Sequence, residues 1–214
     1  MSRRRAPLRG YSIVELMMAV AILAIGVTGV IALHKVTSAA NRHARNVAIA
    51  TAIAQAWEEK LVADAASWNH PSPRRTTSDL ADTTWLCGVN AACTGGNPGG
   101  GNGIWWRPHS STPLRMGPGF DPLGNPVADA DMGDAVFCTH LRLSWLYRDD
   151  TLMSGNGVVR AEVRVFWLRE GGAGGVDATK PVCDASIAAA SVGTTAGSYY
   201  FVHKASAIRQ NTAP

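Results

Sequence analysis

The run from Tyr11 to Leu33, YSIVELMMAVAILAIGVTGVIAL, constrains this chain more than any other stretch. From Leu16 to Leu33 only Gly26, Thr28 and Gly29 are not plainly apolar. As a helix rising about 1.5 Å per residue, that segment spans about 27 Å, close to the hydrocarbon thickness of a bilayer. Glu15 stands just before the uninterrupted apolar run, where an unpaired carboxylate in lipid costs roughly 2 to 3 kcal/mol or more. A charge in that position calls for a partner of opposite sign. Upstream lies MSRRRAPLRG, with four arginines before Gly10. Basic residues ahead of an apolar segment are held on the cytoplasmic side, so the helix points outward and the bulk of the chain is expected to be exported.

The charge balance agrees with that division. The chain carries 20 Lys and Arg against 16 Asp and Glu, and four of those arginines lie in residues 1–10. Without them the protein is formally neutral, which removes the reason to expect a nucleic-acid partner. The four cysteines, Cys87, Cys93, Cys138 and Cys183, all follow the apolar segment. In an oxidising compartment an even count favours disulfides. Five intervening residues make Cys87–Cys93 a short closable loop, which leaves Cys138 for Cys183. Zinc, with Cys138 and His140 as ligands, is the competing reading, but neither spacing matches the paired C-x-x-C pattern of structural zinc sites. No metal or cofactor is expected.

The block Arg9-Gly10-Tyr11-Ser12-Ile13-Val14-Glu15-Leu16 is a basic leader ending in glycine, then an apolar helix with a glutamate five residues past that glycine. It resembles the cleavage and methylation motif of type IV prepilins, with Tyr11 in place of the usual Phe. Further on, Ile25-Gly26-Val27-Thr28-Gly29-Val30 and Ala32-Leu33 resemble the minor pilins of the type IV pilus modification (PilV) family. The resemblance covers residues 9 to 65. It implies cleavage between Gly10 and Tyr11 by a prepilin peptidase, N-methylation of Tyr11, and a Glu15 that pairs with the terminal amine of a neighbouring subunit. The implied partners are other minor pilins, the major pilin and, before assembly, inner-membrane lipid. The implied location is the inner membrane with the head in the periplasm, then the pilus at the cell surface of a Gram-negative bacterium. Type II secretion pseudopilins share these N-terminal features and are the first alternative. A secretory signal peptide and a simple one-pass anchor are weaker readings, because the apolar run is long for a signal peptide and neither uses Glu15.

Beyond Leu33 no helix breaker occurs until Pro71. Val36, Ala40, Ala44, Val47, Ala50, Ala54, Trp57 and Leu61 recur at steps of three or four, which predicts one continuous helix from about Ser12 to Ala66, about 80 Å long. Its second half is expected to cover the protein's own core, and its first half to need lipid or other chains. Gly26 and Gly29 offer places for close packing or local unwinding. The organisation expected is therefore a leader at 1–10, a transmembrane and assembly half-helix at 11–35, an amphipathic half-helix at 36–70, a Gly- and Pro-rich irregular connection at 71–135, and an antiparallel sheet at 136–214.

Within the connection, some of Trp85, Ile104, Trp105, Trp106 and Phe120 are expected to pin the loop to the head, while an exposed Trp105–Trp106 pair would mark a partner surface. Asp129, Asp131 and Asp134 read as a solvated turn rather than a calcium loop, since no bidentate Glu follows at the required distance. Phe137 to Arg148 and Val159 to Trp167 alternate as strands, joined through the turn residues Ser154 to Gly157, and Ser198 to Ile208 reads as a last strand. None of the six histidines lies in a catalytic motif, so no enzymatic activity is expected. An α+β, pilin-like fold follows, with an adhesive or ligand-binding tip subunit as the alternative from a different functional class.

Overall fold

A computed structural model describes residues 10–68, 80, 83–89, 103–108, 116–148, 157–169, 182–183, 192 and 197–209. Helix α1 runs from Ile13 to Trp68, 56 residues without interruption. Ser12 starts it, its hydroxyl accepting the Val14 N–H at 3.4 Å and its carbonyl the Leu16 N–H at 3.1 Å. Gly26 and Gly29 do not break it, so unwinding at those glycines is not seen here. Thr28, the polar residue inside the apolar half, donates its hydroxyl to the Ile25 carbonyl at 2.8 Å, which satisfies it within the helix. The chain forms two compact units that divide between Arg45 and Asn46.

In the first unit, residues 10–45 are exposed throughout. By length and composition α1 is apolar enough to cross a membrane. In the second unit the same helix changes character: Ala50, Ile53, Ala54, Trp57, Leu61, Ala65 and Trp68 are buried. The steps of three and four put them on one stripe. Alanines at 50 and 54 leave room for a sheet to approach closely, and Trp57 and Leu61 then fill the layer between.

That sheet has four antiparallel strands in the order β1 (Gly119–Phe120), β2 (Phe137–Arg148), β3 (Gly157–Leu168), β4 (Tyr199–Arg209). Leu141, Leu143, Val159, Ala161, Val163, Val165 and Trp167 face α1 in one core. Each of the leucines and valines among them contributes roughly 1.5 to 3 kcal/mol by leaving water. The fold is thus the expected α+β arrangement, an N-terminal helix packed by its second half on an antiparallel sheet. The predicted alternation of β2 holds as far as Trp145, where the register with β3 shifts before Tyr147. Opposite that irregularity a Cβ at Gly157 would run into the Tyr147 carbonyl and the Trp145 ring, so only glycine fits there.

The connection is less irregular than its composition suggests. Gly119–Phe120 adds an edge strand, Trp106 pairs with Leu141 of β2, and Leu80, Trp85, Leu86, Val89 and Phe120 join the core. The Trp85 ring meets Trp57 edge-on at 5.1 Å and stacks on Trp106 at 6.4 Å. Asp129–Asp134 forms a 3₁₀ helix. The predicted turn at Ser154 to Asn156 lies outside the described residues.

Asp64 of α1 organises the start of this connection. Its two carboxylate oxygens accept the backbone N–H groups of Thr84, Trp85 and Leu86 at 2.8, 2.7 and 2.8 Å, which caps the 3₁₀ helix Leu86–Val89. Hydrogen bonds to a charged group contribute roughly 1.5 to 3 kcal/mol. Asp64→Ala is expected to destabilise the protein by about 2 kcal/mol, measured as a lower urea midpoint for Trp fluorescence. Asp64→Asn, which keeps one acceptor, should lie between; equal stability of all three would refute the capping role.

Candidate functional site

The N-terminal residues singled out in the sequence sit together at one end of α1. Gly10 precedes the helix and Tyr11 is 87% exposed. Glu15 is exposed in the first helical turn, where the unsatisfied N–H groups of the helix favour a carboxylate by about 0.3 to 1 kcal/mol. Tyr11 precedes the first residue of α1, Ile13, by two positions, and Glu15 is the third residue of the helix.

The cysteines divide as expected where they are described. Cys138 of β2 is bonded to Cys183, and Cys87 is also disulfide-bonded; Cys93 lies outside the described residues. Closing 45 residues by Cys138–Cys183 is worth about 4 kcal/mol in the chain-entropy account. The bond also anchors a second small core of Ala135, Cys138, Phe166, Val182, Cys183, Val192 and Tyr199 on the face of the sheet turned away from α1.

The tryptophan pair is a correction. Trp106 is buried at 5% exposure and belongs to the core, so it cannot form an exposed partner surface with its neighbour. Successive residues of an extended segment point to opposite sides, and Trp105 turns to the outer face of the sheet. It is half-buried there, its ring lying 4.7 Å from the Arg142 guanidinium and 4.3 Å from that of Arg164, with the His203 ring edge-on at 5.5 Å.

Those contacts belong to a cluster that spans three strands. Arg142 of β2 grips Glu162 of β3 with Nε at 2.6 Å and Nη2 at 2.7 Å, a bidentate fork. Arg160 Nη2 lies 3.1 Å and His203 Nε2 of β4 3.2 Å from the same carboxylate. Burial alone would push the Glu162 carboxyl up; the Arg142 hydrogen bonds, with the charges of Arg142, Arg160 and His203, outweigh it and hold it below the usual carboxylate value. The Arg142 guanidinium is raised in turn by that hydrogen bond. In the next row Arg164 sits between His140 and His203, so those two histidines do not face each other directly. Burial, then the nearby Arg142, lowers Arg164 to about 10. Its Nη2 lies 3.3 Å from His140 Nδ1, which makes Nδ1 the acceptor and leaves the proton on Nε2.

His140 is 2% exposed, and burial, Arg164 and Arg107 lower its pKa from 6.5 to about 3. The folded protein therefore holds it neutral, while the unfolded chain takes up a proton below about pH 6.5. This contribution is complete above that pH and is lost as pH falls toward 3, at up to roughly 1.4 kcal/mol per pH unit. Urea unfolding at pH 7, 5.5 and 4.5 should show this slope in the native chain and a shallower one in His140→Gln. Equal slopes would mean that His140 does not report the acid sensitivity.

Of this cluster the sequence singles out Trp105 and His140, and neither for the contacts it makes here. Arg142 and the alternating Arg160, Glu162 and Arg164 look like ordinary solvated positions on strands until the β2–β3 register brings them together. Among the described residues no group of three or more His, Cys, Asp or Glu is arranged to hold a metal. No protein-family model, curated protein or solved structure matches the chain.

Proposed function

We propose that this chain is a minor pilin, nearest the pilus modification kind, that takes part in the initiation, assembly or tip of a type IV pilus. The observation that carries the reading is the division of α1: residues 13–45 are exposed on all sides, whereas from Ala50 onward one stripe is buried under the protein's own sheet. An exposed apolar half-helix needs lipid first and other helices later, and an assembling fibre supplies both in turn. Removal of residues 1–10 by a prepilin peptidase frees the Tyr11 amine, which is then methylated. Glu15, costly when unpaired in lipid, gains by meeting the amine of a neighbouring subunit. Between apolar helices in lipid there is no hydrophobic gain, so association rests on packing and on polar pairs of this kind. The disulfide Cys138–Cys183 fits a head exported to the oxidising periplasm and later to the cell surface.

Mass spectrometry of sheared surface filaments and of membranes, searching for the peptide that begins at Tyr11 with or without a methyl group, tests the proposal. Its presence in filaments is the expected result. Its presence in membranes alone moves the assignment to an initiation complex or a type II secretion pseudopilin, and a mature start beyond Ala21 overturns the pilin reading.

A further inference from the structure

We infer that the outer face of the sheet is a binding surface for an acidic polysaccharide, a chain of sugars bearing carboxylates. The inference stands apart from the pilus reading, because it rests on the head alone. By strand alternation β2, β3 and β4 turn Arg142, Arg160 and Arg209 to this face, with Arg164 buried beneath it at 5% exposure, and Glu162 is the single carboxylate among its described strand positions. Arg107 adds a fifth guanidinium beside them, donating to the Cys183 carbonyl at 2.6 Å and lowering the pKa of His140. The protein without residues 1–10 is formally neutral, so this excess is a local concentration of charge, not a general one.

All of these cations are arginines, and those on the strands sit on rigid backbone. Guanidinium forks match carboxylates in a way that ammonium groups do not. The match is already seen inside the cluster, where Arg142 holds Glu162 through two hydrogen bonds. Glu162 neutralises one charge and orients two forks, while the Arg160 and His203 side chains remain 46% and 37% exposed. Around them stand Ser144, Ala205 and Ala207, small residues that leave the face open, and Phe201, 48% exposed, offers an apolar ring for the face of a sugar.

Two other occupants fit less well. A folded protein partner would need an apolar centre to pack against, and the middle of this face, Arg142, Arg160 and Glu162 flanked by Ser144, Ala205 and Ala207, offers none. Single-stranded nucleic acid stacks successive bases on a row of open rings. Here the Trp105 ring is already engaged by Arg142 and Arg164, and the two exposed rings of this face, Tyr147 opposite Val158 and Phe201 opposite Phe166, stand eight residues apart along β3, about 26 Å, too far to stack successive bases.

The test uses the full chain in detergent with polygalacturonate as probe, dextran as uncharged control and a thirty-nucleotide oligothymidylate as competing polyanion. Polygalacturonate should bind at 50 mM salt and weaken at least tenfold at 300 mM, with no binding of dextran. Arg160→Gln combined with Arg209→Gln should weaken binding at least tenfold, while Arg42→Gln with Arg45→Gln on α1 leaves it unchanged. Phe201→Ala gives an independent variant that removes no ion pair and should also weaken binding. Absence of polygalacturonate binding, or equal binding by the two double variants, overturns the site; tighter binding of the oligothymidylate overturns the sugar assignment. None of these readouts depends on cleavage at Gly10 or on filaments.

Discussion

Glu15→Ala is expected to yield a chain that is cut normally after Gly10 yet is at least tenfold under-represented in sheared filaments. The two steps separate because they use different chemistry. In the proposed prepilin, cleavage would use the basic leader and Gly10, both of which the variant keeps. Incorporation needs a favourable exchange of lipid for neighbouring helices, and packing alone provides little of it. A carboxylate paired with an amine in a region of low dielectric supplies much more than the same pair in water. A loss of only 1.4 kcal/mol already lowers an equilibrium tenfold. Glu15→Gln, which retains a hydrogen-bond acceptor but no charge, should fall between the native chain and the alanine variant. The measurement is the ratio of this subunit to the major filament subunit by quantitative mass spectrometry, in filaments and in membranes. Normal abundance of Glu15→Ala in filaments would remove the assembly role.

Glu162→Ala should be the most destabilising single change in the head outside the apolar core. Glu162 is 1% exposed and joins Arg142, Arg160 and His203 from three strands. Removing one member of a buried ion pair costs about 3 to 5 kcal/mol, because the remaining charge is left uncompensated. Here Arg142 is 31% and Arg160 46% exposed, so water recovers part of that loss, and about 2 to 3 kcal/mol is expected. The same carboxylate sets a pH dependence. Its folded pKa lies below its unfolded value, so its contribution is complete above the ordinary carboxylate range and is lost as pH falls through the folded pKa. Urea unfolding at pH 7 measures the first effect, and comparison with unfolding near pH 4 measures the second. A loss below about 1 kcal/mol at pH 7 would show that the cluster is solvated too well to hold the strands together. Glu162→Gln distinguishes charge from shape: it fills the same space, so whatever it loses is electrostatic.

Much of the fold is legible in local pattern. The absence of proline between Tyr11 and Pro71, with apolar residues at steps of three and four, specifies a single helix, and the structure ends it two residues past the expected Ala66. That the helix passes from exposed to buried is legible too, but not where: the pattern predicts a stripe turned inward from Val36, whereas Val36, Ala40 and Ala44 are exposed and burial begins at Ala50. Alternation marks β2, β3 and β4, since a two-residue period is a property of each strand by itself. The pairing of Cys138 with Cys183 follows once Cys87 and Cys93 are assigned to a short loop.

Contacts set by register and chain path are a different matter. Gly119–Phe120 is too short to carry a period, and becomes a strand only because the edge of β2 accepts it. Trp105 and Trp106 are alike in sequence; the Trp106 bridge to Leu141 sends one into the core and the other onto the arginines. The cluster around Glu162 has the same origin. Arg142 and Glu162 are twenty residues apart, and a slip of one residue in the β2–β3 register would turn one of them toward α1. Local chemistry along the chain thus determined the helix, its membrane-like half and the strands, because each depends on neighbours within a few residues. Only the tertiary structure decided which polar side chains meet on the outer face, because that depends on how separate strands align.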